Sequence, residues 1–349
     1  MISERVGTNL VGGFDFVNFL FMAVIAATPL LFATLGEILT QKSGSLNLGV
    51  EGMMAMGAAA AVTASYSYEL AAGDAASGIV SAFLAVLIGF LAGALGGLIY
   101  SVLTVTFRAN QNVTGLALTI FGIGAGNLVG ELLGIKAGGR TTVSDSTKSM
   151  FSGINIPVLS DIPVLGRVFF SYNFLVYLAI ITAIILMILF NKTRTGLNLR
   201  SVGESPSTAD AVGINVTRYK YIAASVGGGL CGLGGVYISM ATTGGFAGTW
   251  ENNIIAGRGW IAVALVIFAA WRPTRAMIGA LLFGGLSALW LYFGPWLQLY
   301  LPNISIPQQI YNVLPFVATI LVLIITSIRQ SKDHSQPKAC GTNYFREER

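Results

Sequence analysis

Apolar residues in this chain come in long unbroken runs, not in the alternating or one-sided patterns of water-facing strands and helices. Nine runs stand out, at approximately 19–39, 48–66, 78–107, 113–134, 172–190, 221–243, 259–271, 277–297 and 311–328. A helix crosses the hydrocarbon of a bilayer with roughly 20 apolar residues, so these runs predict membrane-crossing helices. The 259–271 run is short for a crossing and reads as tilted, broken or extended at its start. Gln41, Lys42, Ser43, Gly44 and Ser45 separate the first two runs, as a loop or as a break inside the membrane. The expected fold is an all-α, polytopic transmembrane helical bundle of about eight to ten spans, with a broken or re-entrant segment near 40–52. Small residues recur every four positions at Gly89, Gly93 and Gly97, at Gly122, Gly126 and Gly130, and at Gly228 and Gly232. That spacing puts them on one helix face, where close backbone approach holds helices together in lipid.

Composition agrees with the pattern. The 349 residues are 54% hydrophobic and only 10% charged, against about 25% charged in a soluble domain. Lipid is therefore the main solvent. The net charge of +5 does not indicate a nucleic-acid partner, because the basic residues sit in short stretches between apolar runs. Their distribution sets orientation. With the C-terminus in the cytoplasm, Lys42, Arg108, the 191–220 loop, Arg272, Arg275 and the tail fall inside, and the 135–171, 244–258 and 298–309 loops fall outside. This arrangement places 14 of the 20 Lys and Arg residues inside. The domain reading is a membrane domain over 1–330 and a polar cytoplasmic tail over 331–349. Nine spans put the N-terminus outside, and a re-entrant segment near Lys42 reverses that end. Glu4, Arg5 and Asp15 precede the first long run, which lacks a clear small-residue cleavage site, so no cleavable signal peptide is expected. Two cysteines, Cys231 and Cys340, and one histidine, His334, supply neither a disulfide framework nor a metal-ligand spacing.

Three polar stretches interrupt the apolar background. The first holds Gly36 and Glu37 and then 42–54, with Asn47 and Glu51 among Gly44, Gly49 and Gly52. A charge near the bilayer centre needs a partner, water or a function. Broken helices with freed backbone groups are one way to build a transport site. The alternative is a tight turn with Asn47 as a helix N-cap, and Glu51 as an ion-pair partner of Lys42 or Arg258. The second is the 191–220 loop, with Arg200, Gly203, Glu204, Ser205, Pro206, Ala209, Asp210 and Gly213. Ser205 suits an N-cap and Pro206 the first helical position, with Gly213 as the stop. Such a capped helix is a docking element for another protein, or an ordinary connector. The third runs from Gly244 through Trp250, Glu251, Asn252 and Asn253 to Gly257, Arg258, Gly259 and Trp260. Aromatic faces and amides suit a planar polar solute; interfacial anchoring with a snorkelling arginine is the other reading. Asn127 and Glu131 share one face of another run and either line a cavity or bond a neighbouring helix. The candidates for a solute path are therefore Asn47, Glu51, Asn127, Trp250, Asn253 and Arg258. No phosphate-binding loop, zinc motif or catalytic triad is present, so neither an enzyme activity nor a bound cofactor is expected of this chain.

Taken together, the stretches at 36–54, 199–216 and 256–262, with Ile306-Pro307 and Leu314-Pro315, resemble bacterial ABC-importer permeases of the group related to ribose and branched-chain amino acid permeases, in its nucleoside or simple-sugar branch. The resemblance spans about 28–328. It implies inward transport of nucleosides by alternating access, powered by a partner ATPase that uses the ATP. It also implies a second homologous permease, a substrate-binding lipoprotein and a bacterial cytoplasmic membrane location. Arg200, Gly203, Glu204, Pro206, Ala209, Asp210 and Gly213 would couple to the ATPase. Simple sugars such as ribose, and a stand-alone ion-coupled transporter using Glu37, Glu51 and Glu131, remain alternatives, as does a scaffold with no solute path. Two departures accompany the likeness. Ala269, Ala270, Trp271 and Arg272 stand where the family pattern leads one to expect a glycine-bearing turn, and the tail after Arg329 is longer and more charged.

Overall fold

The computed structural model describes residues 15–154, 165–300, 307–328 and 336–345; Glu4, Arg5, Ile306, Arg329 and His334 lie outside them. Every expected apolar run is helical over most of its length. In chain order the helices are α1 (Phe16–Lys42), α2 (Val50–Ala72), α3 (Gly78–Ser101), α4 (Gln111–Lys136), α5 (Asp145–Met150), α6 (Leu165–Phe169), α7 (Phe174–Lys192), α8 (Arg194–Glu204), α9 (Pro206–Ala211), α10 (Val216–Val236), α11 (Arg258–Phe268), α12 (Pro273–Tyr300) and α13 (Gln308–Ile328). Wider π-turns prolong α3 to Thr106 and α10 to Thr242. Six helices are long and apolar enough to cross a membrane: α1, α3, α4, α7, α10 and α12.

The remaining three apolar helices explain the spread in the expected count. α2 has 23 residues, but Glu51 and its alanines, glycines and serines make it less apolar, and its first half is buried among other helices. α11 has 11 residues and so measures about 16 Å, half a bilayer. The 259–271 run is a half-helix. α13 has 21 residues and contains Pro315. α12 continues to Tyr300, into the loop expected at 298–309, of which 301–306 lie outside the described residues. In the 191–220 loop the expected helix after Ser205 is present as α9, and a second helix, α8, precedes it. Thr193 opens α8 by accepting the Gly196 N–H at 3.0 Å. Ser205 makes no such bond, and its hydroxyl meets Thr208 Oγ1 at 2.7 Å instead.

Glycine faces knit the centre. Gly89, Gly93 and Gly97 of α3 abut Val236, Gly228 and Ala224 of α10, with no room for a Cβ between the backbones. Gly122 and Gly126 of α4 meet Gly52 and Ala55 of α2 in the same way. Outward from this centre α3 presents Ile79, Phe83 and Leu91, α4 presents Ile120, Phe121 and Leu132, and α7 presents Ile181 and Ile185. An apolar exterior over a small-residue interior is the arrangement a lipid solvent selects, since apolar burial gives helices no advantage over lipid contact.

The polar segments sort to two ends. At one, the basic end, Ala339 N donates to Gly203 O at 3.0 Å, Trp271 Nε1 to Gln41 Oε1 at 2.6 Å, and Asn343 Nδ2 to Arg108 O at 2.6 Å. At the opposite end Glu69 accepts from Ser144 N at 2.8 Å, and Ile154 N donates to Tyr172 O at 3.0 Å. The segments assigned to one face by charge bias are thus gathered at one end of the bundle. The described part of the tail, 336–345, is folded against that end, with Pro337 and Ala339 buried.

Candidate functional site

Two interrupted elements meet inside the bundle. α1 stops at Lys42, Gly44 turns the chain with φ +80°, and 43–49 runs inward without helix, largely buried. Gly49, just before α2, lies against Leu118, seven residues into α4, so α2 begins about 10 Å in from the start of α4. The break expected near 40–52 is therefore real. From the opposite end, 243–257 descends without regular structure along α4. A Cβ on Gly124 would meet the Trp250 ring at 3.7 Å, and Gly248 lies beside Asn127 Oδ1. It ends at Gly257, φ +82°, where α11 begins.

Glu51 sits where the two helix starts converge. It lies in the first turn of α2, and its Oε1 accepts the N–H of Gly257, the N-cap of α11, at 2.7 Å. Gly259 packs directly on the Glu51 backbone. A carboxylate there faces the positive ends of two helix dipoles at once. Its Oε2 is buried and has no hydrogen-bond partner among the described residues. Glu51 forms no ion pair with Lys42 or Arg258; the ion pair found among the described residues is Lys148–Asp145. Arg258 instead curls back, its Nη1 donating to Ile254 O at 2.7 Å and Ile255 O at 3.3 Å. It clamps the end of the irregular segment.

Towards the basic end lies a second polar node. Glu37 Oε1 accepts from Gln41 Nε2 at 2.8 Å and from Asn47 N at 3.2 Å, and Gln41 Oε1 takes the Trp271 indole N–H. Asn47 turns its Oδ1 to Gly49 N at 2.8 Å and its Nδ2 to Met53 Sδ at 3.5 Å. Its amide serves the start of α2, although Gly49 and not Asn47 is the N-cap. Tyr100 OH donates to Leu46 O at 2.7 Å, and Gln111 Oε1 accepts from Leu46 N at 2.7 Å. The unhelical backbone at 46–48 is thereby satisfied by side chains from α3 and α4, with the Thr119 hydroxyl donating to Leu48 O at 2.7 Å. Beneath it Gln111 Nε2 donates to Thr342 O at 3.0 Å, closing the basic end with the tail.

At the opposite end a cavity opens between the end of α4, the turn that follows it and the irregular 243–257 segment. A cavity of about 510 Å³ is lined by Glu131, Arg140, Phe246, Thr249, Glu251 and Asn252, among others. The Arg140 guanidinium lies 4.6 Å from the Phe246 ring centroid. Gly130, on the wall of this cavity, packs on Gly248, the same residue that neighbours Asn127. The cavity thus sits above the descending segment that leads to Glu51.

Among protein families, the one described as branched-chain amino acid transport system / permease component matches residues 19–323. The chain belongs to this permease family. Its similar relatives include a nucleoside ABC transporter permease of Lactococcus lactis subsp. cremoris, 34% identical over 93% of this chain and 95% of the relative. A guanosine ABC transporter permease of Bacillus subtilis is 36% identical over 93% and 96%. A putative glucose ABC transporter permease of Haloferax volcanii is 33% identical over 93% and 96%. Each of these organisms also has a second, more distant permease relative, at 22–25% identity.

The permease brings some of the sequence candidates together and separates others. Glu51, Arg258 and the backbone of Gly257 form one node. Asn127 is buried, has no side-chain hydrogen bond among the described residues, and faces Gly248. Asn253 is spent on its own turn, accepting Ile255 N at 3.0 Å, and Trp250 is 62% exposed on the outside of α4. In the 191–220 loop Ala209 and Gly203 are buried supports, Asp210 accepts the Tyr344 hydroxyl at 3.0 Å, Pro206 opens α9, and Arg200 and Glu204 are exposed. Gly213 takes φ +86°. Exposed Leu197 and Val212 give this surface an apolar component. Sequence reasoning passed over Gln41, Tyr100, Gln111 and Trp271 as site residues. Their signal was a polar or phenolic group at the end of an apolar run, which an isolated residue shares with ordinary interfacial anchors.

Proposed function

We propose that this permease is the membrane-spanning subunit of an ABC importer that carries nucleosides into a bacterial cell across the cytoplasmic membrane, with its C-terminus inside. The observation that carries the reading is the 34–36% identity, over 93% of the chain, to permeases named for nucleosides and guanosine. The geometry suits it. A cavity with a phenylalanine face, an amide and both charge signs opens at one end, a buried Glu51 oxygen with no hydrogen-bond partner among the described residues lies inward of it, and α8 and the tail cover the 43–49 break at the basic end.

A partner ATPase would hydrolyse the ATP and dock on α8 and α9, where Leu197 and Val212 offer exposed apolar side chains beside Arg200 and Glu204. A lipoprotein would deliver the solute at the opposite end. The second permease would be of the more distant type, since three organisms each supply one relative of either kind. Work enters only through the different affinities of the two conformations for ATP and solute.

Uptake of radiolabelled guanosine by the assembled complex in liposomes tests this. Uptake should require internal ATP and the ATPase, and unlabelled nucleosides should compete while glucose does not. Competition by glucose alone would transfer the reading to simple sugars, which the Haloferax volcanii relative favours. Uptake by this chain alone under a proton gradient would replace it with an ion-coupled transporter using Glu37 and Glu51.

A further inference from the structure

A second cavity, of about 570 Å³, opens at the basic end, away from the Glu51 node. Its walls come from four places: Thr104, Val105 and Arg108 after α3, the stretch from Asp210 to Asn215, the first turns of α10, and Tyr344 of the tail. Among the described residues three cations line it, Arg108, Arg218 and Lys220, with one carboxylate, Asp210, which accepts the Tyr344 hydroxyl. Arg108 and Arg218 are exposed, but Lys220 is only 3% exposed. Its ammonium has no hydrogen-bond or ion-pair partner among the described residues. An ammonium on a side chain so largely withdrawn from water favours a counter-charge. The first turns of the 21-residue α10 supply the wall beside it; Asn215 Oδ1 already accepts the Arg218 N–H at 2.9 Å, and the N–H groups of Val216 and Thr217 at the helix start favour negative charge.

We propose that this cavity is a binding site for a phosphate-bearing anion, held by Lys220 and Arg218 at the start of α10. Phosphate chemistry fits because an anion with several acceptor oxygens can meet the ammonium, the guanidinium and helix N–H groups together. The ligand is either a soluble phosphate or the headgroup of an acidic lipid. In both cases it would bridge α10, the α3–α4 turn and the stretch that follows α9, so its occupancy would brace α9 against the bundle.

The test uses the purified full-length chain with two probes. Inorganic phosphate is titrated in a thermal-shift assay against sodium chloride of equal ionic strength. Separately, retention of phosphatidylglycerol against phosphatidylcholine from mixed nanodiscs is read by native mass spectrometry. The wild type should bind at least one probe selectively. Lys220→Met should weaken that binding at least tenfold, Lys220→Arg should restore part of it, and Lys192→Met, an exposed lysine at the same end, should leave it unchanged. Should Lys220→Met fail to fold, Arg218→Ala, at an exposed position, should still weaken binding several-fold in a folded protein. Binding of phosphate alone assigns a soluble ligand, and retention of phosphatidylglycerol assigns a lipid. Selective binding of neither probe by the wild type, or wild-type binding by the folded Lys220 and Arg218 variants, overturns the proposal.

Discussion

Glu51 has one duty on view and one proposed, and isosteric change can part them. As a cap, its Oε1 satisfies the Gly257 N–H; as the proposed solute contact it would offer Oε2, which has no hydrogen-bond partner among the described residues. Glu51→Gln keeps an acceptor oxygen for Gly257 and removes the charge. Thermal unfolding should move little while guanosine uptake falls at least tenfold. Glu51→Ala also strands the Gly257 N–H, at about 1–3 kcal/mol, and should lower the unfolding midpoint measurably. Wild-type uptake by the Gln variant would reduce Glu51 to a cap. A different residue carries a different lesson. The family resemblance leads one to expect a glycine turn where Ala270 and Trp271 stand, and the structure puts both at positive φ, 48° and 56°. The turn is glycine-like without a glycine, and the Trp271–Gln41 hydrogen bond holds it. A left-handed alanine costs about 1–2 kcal/mol, more than the backbone entropy a glycine adds to the unfolded chain. Ala270→Gly should therefore leave the unfolding midpoint equal or higher; a clear drop would show that the turn is not left-handed. What the sequence made legible here was the need for a turn. The hydrogen bond that lets tryptophan make it pairs residues 230 positions apart, and no local pattern reports that.

Helices were legible where one force dominates. Long apolar runs located every crossing helix, and the Ser205-Pro206 start with Gly213 beyond located α9. α8 was missed because its polar residues, on a surface helix, look like a connector until Leu199 and Val202 are seen to be buried. The tail was read by composition as a polar cytoplasmic tail, with no contact to the bundle predicted. Its described residues dock instead through Ala339, Thr342, Asn343 and Tyr344, mostly by backbone and amide bonds that hydropathy cannot register. Docking has a chemical readout in Cys340. Burial is the chief influence on its thiol and pushes the pKa up to about 12, so at neutral pH the reactive thiolate is scarce. The docked state prefers the neutral thiol. Its contribution is whole below an ordinary thiol pKa near about 8.5 and fades as pH rises from there towards 12. Maleimide labelling of Cys340, mapped by peptide mass spectrometry, should be slow at pH 7.5. It should accelerate when Tyr344→Phe removes the bond to Asp210. Equal rates in both proteins, at the rate of a free thiol, would mean that the tail is not docked in solution.

The 43–49 break is covered at the basic end and a cavity opens at the other, and the two helix breaks point to how that could reverse. The break at 43–49, the buried Gly203 of α8 and the tail are joined: Ala339 N bonds Gly203 O, and Gly44 lies against both. On the proposed path, a solute passing Glu51 would leave at the basic end only if these three parted, and α8 is the part that a docked ATPase could pull. A Cβ built on Gly44 lies 3.5 Å from Ala339 Cβ, at the short edge of the separation a disulfide spans. A Gly44→Cys, Ala339→Cys pair in a Cys340→Ser background should therefore oxidise to a single intramolecular link. The left-handed φ at Gly44 sets a cost of about 1–2 kcal/mol on that design, so the reduced double variant is the reference. If the three segments are the inner closure, oxidation should abolish ATP-driven uptake and reductant should restore it, while solute still exchanges with the cavity at the opposite end. Undiminished uptake by the fully cross-linked protein would place the moving closure elsewhere, and with it the lever that joins ATP turnover to transport.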